Sequence, residues 1–313
     1  MKVLICGLGS IGLRHAKILS EHLNHEVYAY RRTGRCVEHS LNIREIYSWD
    51  DVETLRPDVA FITNPTFLHI ETALQCAVRG MHLFIEKSLS HSLDNIDLLE
   101  SLCSEKGLTC YIAYCLRFHP VITKIHELIE GKKIYHARIV CSSFLPAWRP
   151  ESDYTKSYSA SSREGGGVLL DLSHEFDYAQ YLFGEIAAMT GVYGRVSELT
   201  VDAEDFADVL VTNASSIPVN VHLNFNSLLN ERTVTVVFED GYATGDLIGN
   251  KVDVFYRGNL DSYEYPLDRD RYLTEQSQYF FDNIGNQTIM NNLAEAKGLL
   301  SQILRFKHGN KLK

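Results

Sequence analysis

Two groups of residues in this sequence have the types that proton transfer requires. Lys87 follows Glu86 at the end of an apolar run, and Asp171 and His174 come shortly after three consecutive glycines. A lysine held near an alkoxide or carbonyl oxygen can exchange a proton with it once neighbouring charges lower the lysine pKa. An imidazole beside a carboxylate exchanges a proton near neutral pH, and the carboxylate fixes its tautomer. These residues predict general acid–base chemistry.

Each of these residues also has a plainer interpretation. Lys87 alone is typical of a surface lysine at the start of a loop, since most lysines are exposed. On a helix, Asp171, His174 and Tyr178 would share one face, where packing or capping would explain them. Asp171 and His174 also have a spacing that suits metal ligands, but a catalytic zinc usually has three protein ligands. We therefore predict no metal site.

A glycine pattern at the start of the chain predicts a dinucleotide site. Gly7, Gly9 and Gly12 come directly after the first apolar run and open a helical pattern. The first glycine permits a tight turn, the second lets a diphosphate approach the backbone, and the third lets helix and strand pack closely. Free N–H groups at the helix start, near Ser10 and Ile11, would meet the phosphate oxygens. This position between strand and helix favours dinucleotide binding over a merely structural turn.

The residues after the second predicted strand favour NADP. An NAD site usually has Asp or Glu there, about 20 residues after the glycines, to bind the ribose hydroxyls. This chain has Arg31 and Arg32 instead. Two guanidiniums can clamp a 2′-phosphate through charge-assisted hydrogen bonds. A solvated basic turn is the alternative, and NAD stays the second choice of cofactor.

The first 120 residues alternate short apolar runs with helical spacing, which predicts an α/β fold with a doubly wound parallel sheet. The predicted strands are Val3 to Cys6, Glu26 to Tyr30, Asp58 to Thr63, His82 to Ile85 and Thr109 to Ala113. The predicted helices are Ile11 to Leu23, Leu68 to Arg79 and Leu93 to Glu105. In such sheets ligands bind at the carboxyl ends of the strands, where Asn64 and Lys87 fall.

After Pro120 the pattern changes to that of an α+β domain. The predicted helices are Val121 to Glu130, Val168 to Phe183, Tyr272 to Ile284 and Leu293 to Phe306. The predicted strands are Tyr135 to Ser142, Phe206 to Thr212, Val219 to Phe225, Thr233 to Phe238, Tyr242 to Asp246 and Val252 to Tyr256. Most of these strands follow one another directly, so we expect an open, mostly antiparallel sheet. We predict a Rossmann domain at 1–120 and a substrate-binding domain at 121–313, with the C-terminal helix able to pack back on the first.

Composition excludes several classes of function. The formal charge of -10 argues against nucleic acid as a partner, and no apolar run is long enough for a membrane span or has the form of a signal peptide. The seven cysteines are an odd number without a Cys-x-x-Cys pair, which favours reduced, buried thiols. We therefore expect a cytoplasmic protein.

Together these motifs resemble those of the Gfo/Idh/MocA family of NAD(P)-dependent oxidoreductases over essentially the full chain. The matching positions are the glycine pattern, Asn64-Pro65 followed by His69, Glu86-Lys87, Arg117-Phe118 before Pro120, and the glycine run leading to Asp171 and His174. Their order and spacing are more specific than any single motif. The resemblance implies an open sheet that mediates dimers or tetramers, and oxidation or reduction of a sugar or cyclitol carbon.

The resemblance also implies roles for single residues. Lys87 would contact the reacting oxygen and act with His174 in proton transfer, and Asp171 would be the acidic partner. The cofactor-binding set predicted from the residues and the resemblance together is Gly7, Gly9, Ser10, Ile11, Gly12, Arg31, Arg32, Asn64, Pro65, His69, Glu86 and Arg117.

Two positions depart from the family pattern. The usual Glu-Lys-Pro ends in Ser88 here, so the rigid and often cis proline turn after the lysine is missing. The frequent asparagine before Leu-Arg-Phe is Cys115, which removes a polar contact. The lysine and the histidine remain, so the catalytic assignment stands.

The segment from Pro146 to Glu164 is expected to overhang the substrate pocket. Trp148, Tyr154 and Tyr158 offer aromatic faces to a sugar ring, and Arg149 suits a carboxylate or phosphate. An ordinary polar surface loop is the alternative. The segment also resembles that of a subgroup associated with surface-sugar and nonulosonic-acid pathways.

We predict hydride transfer between NADP(H) and a carbinol or keto carbon of a sugar or sugar acid. A cofactor-binding sensor or scaffold without catalysis is a second hypothesis, and the missing proline after Lys87 favours it. A third is NAD-assisted lyase or hydrolase chemistry, in which the nicotinamide is reduced only transiently.

Overall fold

The computed structural model describes residues 1–31, 41, 43–266, 268–286 and 288–312. The strands are β1 (Lys2–Cys6), β2 (Glu26–Tyr30), β3 (Arg44–Ile46), β4 (Val59–Ile62), β5 (His82–Glu86), β6 (Cys110–Ala113), β7 (Ile134–Phe144), β8 (Ile186–Gly194), β9 (Phe206–Asn213), β10 (Pro218–Asn224), β11 (Asn226–Phe238), β12 (Gly241–Asp246), β13 (Lys251–Tyr256) and β14 (Asn259–Glu264). The α-helices are α1 (Ser10–Lys17), α2 (Trp49–Leu55), α3 (His69–Val78), α4 (Ile96–Lys106), α5 (Pro120–Ile129), α6 (Val168–Asp171), α7 (His174–Phe183), α8 (Arg269–Asp282) and α9 (Leu293–Gly309). None of these helices is both long and apolar enough to cross a membrane.

The chain forms two compact units. The first comprises Met1–Tyr114 and Arg269–Leu300, and the second comprises Cys115–Asp268 and Ser301–Lys313. The predicted boundary between the cofactor domain and the substrate-binding domain, after residue 120, stays a prediction.

The first unit contains a parallel sheet in the order β3-β2-β1-β4-β5-β6. The residues of β4 and β6 are all buried, as expected for strands covered on both faces. Phe61 and Phe84 stack in the core at a ring distance of 4.1 Å, and Phe280 of α8 packs edge-on against both. The predicted parallel fold is confirmed.

The sequence analysis did not predict β3, the short strand at the edge of this sheet. β3 has three residues, of which only Ile46 is buried, so it produces no alternating pattern. The helix α2 was not predicted either, because it buries only Val52 and its sequence therefore lacks a clear amphipathic pattern.

The second unit contains a sheet in the order β14-β13-β12-β11-β7-β10-β9-β8. β7 and β10 pair in parallel, and the other neighbours pair antiparallel, so the predicted open sheet is confirmed. Gly245 of β12 has no side chain where α5 crosses, and an added Cβ would lie 2.5 Å from Val121. β8 and β14 were missed because most of their residues are exposed or half-buried.

Candidate functional site

The glycine turn of the first unit fits a diphosphate. Gly7 has φ +114°, and a Cβ there would lie 2.7 Å from the backbone nitrogen of Asn64. A Cβ on Gly12 would lie 2.0 Å from the carbonyl oxygen of Gly7, so the third glycine is needed for close packing. Among the residues that the structure describes, no atom lies within 4 Å of a Cβ added to Gly9, which caps α1, and no side chain caps the helix. The first N–H groups of α1, from Ser10 and Ile11, therefore remain available to phosphate oxygens.

Asn64 and His69 shape the turn at the end of β4. The Asn64 amide donates to the Thr72 hydroxyl at 2.8 Å, while its Oδ1 is buried without a hydrogen-bond partner among the described residues. Such an acceptor suits an amide donor such as a carboxamide. Pro65 beside it is exposed.

Both ring nitrogens of His69 face carbonyl oxygens. Nδ1 lies 2.8 Å from the oxygen of Ser88, and Nε2 lies 2.8 Å from that of Asn64. A neutral ring carries one N–H, so it donates to one carbonyl at a time. Burial lowers the pKa of His69, and the carbonyl groups oppose this effect. His69 thus connects the turns that follow β4 and β5.

Glu86 and Lys87 end β5 next to a residue that the sequence reading did not select. Glu86 Oε1 lies 2.7 Å from Nε2 of His15, and Glu86 Oε2 accepts from the backbone N–H of Lys87 at 3.2 Å. The peptide bond between Lys87 and Ser88 is cis. The signal available for His15 was a polar residue between Gly12 and Ala16 on the buried face of α1.

The basic pair at the cofactor edge is only partly described. Arg31 Nη1 lies 3.5 Å from Oε1 of Glu45, and both side chains are 11% exposed. Glu45 belongs to β3, so an acidic residue stands at this edge after all. Arg32 lies outside the described residues.

Asp171 and His174 in the second unit do not share one helix. The prediction of a continuous helix from Val168 to Phe183 is wrong, because α6 ends at Asp171 and α7 begins at His174. The amide of Ser173 donates to the Leu170 carbonyl, three residues back, which tightens the backbone into a turn. Asp171 and His174 are both buried, being 6% and 8% exposed.

Gly167, just before α6, makes room for a partly buried ion pair. A Cβ on Gly167, which has φ +103°, would lie 2.5 Å from the Glu204 carboxyl carbon. Lys307 Nζ donates to both carboxylate oxygens of Glu204 at 3.0 Å. The start of α6 is therefore packed on a neutralised carboxylate.

Two buried carboxylates hold α7, the helix that begins at His174. Glu175 accepts from Arg232 at 2.7 and 3.0 Å, and Asp177 accepts from Arg117 at 3.0 and 2.7 Å. Bidentate pairs of this kind fix orientation as well as position. Arg117 thus has a structural contact, and its assignment to the cofactor stays a prediction.

A cavity of about 300 Å³ in the second unit contains all four residues predicted to bind substrate. Its lining includes Trp148, Arg149, Tyr154 and Tyr158. Trp148 donates from Nε1 to Ser143 at 3.0 Å, and its ring packs edge-on against Phe225. The Tyr154 hydroxyl accepts from the backbone N–H of Thr200. The aromatic walls are therefore anchored, and the volume lies at the lower end of the range for small-molecule sites.

Tyr158 connects this cavity to Asp171. The charge of Asp171 raises the pKa of the Tyr158 hydroxyl well above its ordinary value, so the two side chains interact. Burial acts in the same direction, and Arg149 acts against it. Tyr158 consequently stays protonated.

Known proteins share both parts of this architecture. Residues 1–114 match the oxidoreductase family with an NAD-binding Rossmann fold, and residues 122–244 match the GFO/IDH/MocA C-terminal domain. The chain is 24% identical to the myo-inositol 2-dehydrogenase of Thermotoga maritima, over 71% of this chain and 64% of that protein. It is 26% identical to the 2,7-anhydro-N-acetylneuraminate hydratase of Mediterraneibacter gnavus, over 67% of this chain and 56% of that protein.

Solved structures show the same fold. A levoglucosan dehydrogenase in complex with NADH superposes with a TM-score of 0.85 at 16% identity, covering 98% of this chain and 97% of the other. The curated relatives are matched over less than two thirds of their own lengths. The two family matches nevertheless cover most of the chain, which belongs to the Gfo/Idh/MocA family of oxidoreductases.

Proposed function

We propose that this protein is an NAD(P)-dependent oxidoreductase that oxidises or reduces a carbinol or keto carbon of a sugar or sugar acid. The observation that carries the proposal is the interaction of Tyr158, which lines the cavity, with the carboxylate of Asp171. It joins an aromatic, sugar-sized cavity to the segment that also contains His174. Family membership and the open glycine turn at α1 support the cofactor part.

The glycine turn and the strand ends would hold the dinucleotide. The α1 N–H groups near Ser10 and Ile11 would bind the diphosphate, and Asn64 Oδ1 would accept from the carboxamide. When bound, the nicotinamide supplies a hydride acceptor or donor at C4. Arg31 favours NADP, because its guanidinium suits a 2′-phosphate, while Glu45 beside it suits the ribose of NAD.

Lys87 and His174 would move the proton that accompanies hydride transfer. In the oxidation direction the substrate hydroxyl loses its proton to one of these groups while the carbinol carbon loses the hydride. In reduction the same group returns the proton to the oxygen. Asp171, whose charge acts on Tyr158, would be the acidic partner.

The cavity favours a sugar that carries an anionic group. Trp148 and Tyr158 provide aromatic surface for a sugar ring. Arg149 has no hydrogen-bonding or ion-pairing side chain among the residues that the structure describes, so its guanidinium remains available to a carboxylate or phosphate. Lys156, by contrast, is paired with Asp153 at 3.3 Å.

The test is a nicotinamide absorbance assay with NAD(H) and NADP(H) against neutral polyols, hexuronic acids and sugar phosphates. Lys87→Ala and His174→Ala should fold and bind cofactor but lose most turnover. Equal turnover in both variants and the wild type would contradict the proposal. Tyr158→Phe is the matched variant for the link to Asp171, and it should lower kcat while leaving cofactor binding unchanged.

A second candidate is the cofactor-assisted lyase or hydratase chemistry, which the hydratase relative favours. It requires that the nicotinamide return to its starting oxidation state within each turnover. Mass spectrometry of the product, followed beside the absorbance, separates the two functions. Product formation without a net change in absorbance would support the lyase or hydratase.

A further inference from the structure

Glu86, the residue before Lys87, contacts a buried histidine that the proposed chemistry does not use. His15 is fully buried on α1, and its ring packs edge-on against Phe61 and Phe84 at 5.4 and 5.2 Å. Its Nε2 lies 2.7 Å from Oε1 of Glu86. An ionised carboxylate only accepts hydrogen bonds, so His15 Nε2 carries the proton and donates it.

The second oxygen of Glu86 completes the connection. It accepts from the backbone N–H of Lys87 at 3.2 Å. His15, Glu86 and the Lys87 backbone therefore form a continuous chain of hydrogen bonds. This chain starts on the helix whose first turn would bind the diphosphate and ends at the lysine that would move the proton.

The burial of this chain favours a positioning role. The Glu86 side chain is 12% exposed, and His15 Nδ1 is buried without a hydrogen-bond partner among the described residues. A polar atom left unsatisfied in a core of phenylalanines costs stability. A phenylalanine would fill the same space without that cost, so packing alone does not account for a histidine here.

We propose that His15 is a positioning residue that fixes Lys87 through the Glu86 carboxylate. On the other side of Lys87, His69 contacts the carbonyl oxygen of Ser88 at 2.8 Å, so the lysine lies between two anchored residues. His15 also links α1 to the backbone of the lysine through Glu86. The consequence for turnover rests on the proposed function, whereas the placement of Lys87 does not.

Two variants of His15 separate positioning from packing. His15→Gln keeps a donor near the Nε2 position but loses the ring. His15→Phe keeps a ring against Phe61 and Phe84 but loses the donor. A purely structural role predicts that the phenylalanine variant is the better tolerated of the two. A positioning role predicts the reverse order for every property that depends on Lys87.

The direct measurement is trace labelling of the folded protein with acetic anhydride, with acetylation at Lys87 quantified by mass spectrometry. Lys297, which is paired with Asp97 and Glu100, serves as the internal reference. The Lys87 to Lys297 labelling ratio should rise at least threefold in His15→Phe, because the released lysine is more often in solvent. It should stay within about 1.5-fold of the wild type in His15→Gln.

Activity provides the second measurement, with myo-inositol and glucuronate as probes. In His15→Phe, kcat should fall at least tenfold while the Kd for NADH and NADPH stays within threefold, and His15→Gln should recover most of kcat. Equal Lys87 labelling in the two variants, or greater labelling in the glutamine variant, overturns the inference. If the wild type oxidises no probe while the labelling order holds, the proposed function fails and the positioning of Lys87 stands.

Discussion

Arg117 donates two hydrogen bonds to the carboxylate of Asp177, and the two side chains are only 5% and 3% exposed. The pair joins the turn after β6 to the helix that begins at His174. The ring of Tyr181 lies 5.2 Å from the guanidinium carbon and covers it. Arg117, which the sequence motif assigned to cofactor binding, is therefore held by the buried carboxylate of Asp177. Asp177 lies three residues after His174, the predicted catalytic histidine.

Breaking this pair should be costly. Arg117→Met leaves the Asp177 carboxylate buried without its partner, and we expect a loss of about 3–5 kcal/mol in the free energy of unfolding. The double variant Arg117→Met/Asp177→Leu removes both charges and should lose far less. Urea denaturation of the three proteins measures the difference. Equal losses in the single and double variants would contradict the buried-pair assignment.

Substitutions at Gly9 and Gly12 should have different effects on stability, although both should weaken cofactor binding. Gly9→Ala has open space around the new methyl group, so the fold should keep its stability while NAD(P)H affinity falls roughly tenfold or more. Gly12→Ala collides with Gly7 and should lose about 1–3 kcal/mol of stability as well. Thermal denaturation and fluorescence titration test both variants.

Gly298→Ala is the control for these substitutions. It lies in α9, has no atom within 4 Å of an added Cβ, and should gain about 0.5–1 kcal/mol without changing affinity. A Gly9→Ala protein that binds cofactor as tightly as the Gly298→Ala protein would count against a diphosphate at α1.

Stability should decrease when the solution is acidified, because of His119. Burial and the nearby Arg232 lower the pKa of His119 from 6.5 to about 4. Between these two values the unfolded chain binds a proton that the folded protein does not, so stability falls as pH drops from 6.5 to 4. The loss of stability reaches about 3 kcal/mol and is complete below the folded-state pKa.

His119→Asn is the variant that tests this effect. His119 Nδ1 accepts from the Val121 N–H at the start of α5, and asparagine caps helices in the same way. Its unfolding free energy, measured by urea denaturation across this pH range, should decrease less steeply than that of the wild type. An unchanged slope would show that other groups cause the acid sensitivity.

The choice between NADP and NAD should depend on Arg31. Arg31→Ala should weaken NADPH binding roughly tenfold or more and leave NADH binding nearly unchanged, because charge-assisted hydrogen bonds to a phosphate are strong. Glu45→Gln should raise the preference for NADPH, since it removes the acid that pairs with Arg31 at 3.5 Å. Isothermal titration calorimetry with NADPH and with NADH measures both affinities for each variant. If Arg31→Ala weakens both cofactors equally, the 2′-phosphate assignment is wrong.

The second unit should self-associate through its sheet. Tyr242 and Phe255 face each other across β12 and β13, and their stacked rings are 42% and 37% exposed. We expect a dimer or tetramer in light scattering, and smaller particles for the variant Tyr242→Lys/Phe255→Lys. Val78→Lys, on α3 of the first unit and 58% exposed, is the control and should leave the assembly intact.

The sequence predicted best where one face or both faces of an element are buried. Four residues of β1 and all of β4 are buried, and both strands were predicted within one residue of their ends. The failures have local causes. β14 has no buried residue, and the break between Asp171 and His174 occurs in a stretch where every residue is buried, so no change in burial marks it.

In each unit, the contacts of the candidate residues depend on distant parts of the chain. No local pattern indicates that Asp177 accepts from Arg117, that Arg232 reaches Glu175, or that His15 meets Glu86. These partners are 57 to 71 residues apart, and only the folded sheet order brings them together. Residue types yielded candidates for the chemistry, which stay predictions, whereas the contacts that hold these side chains could be seen only in the structure.

The ion pair between Lys307 and Glu204 has a practical consequence for handling the protein. Lys307 is on the last turn of α9, and the Glu204 carboxylate that it neutralises lies against Gly167 at the start of α6. The backbone N–H of Leu312 then donates to the carbonyl of Tyr193 at 2.8 Å. Residues 307–312 are thus built into the half of the molecule that contains Asp171, and a truncation before Lys307 would deprive the Glu204 carboxylate of this cation.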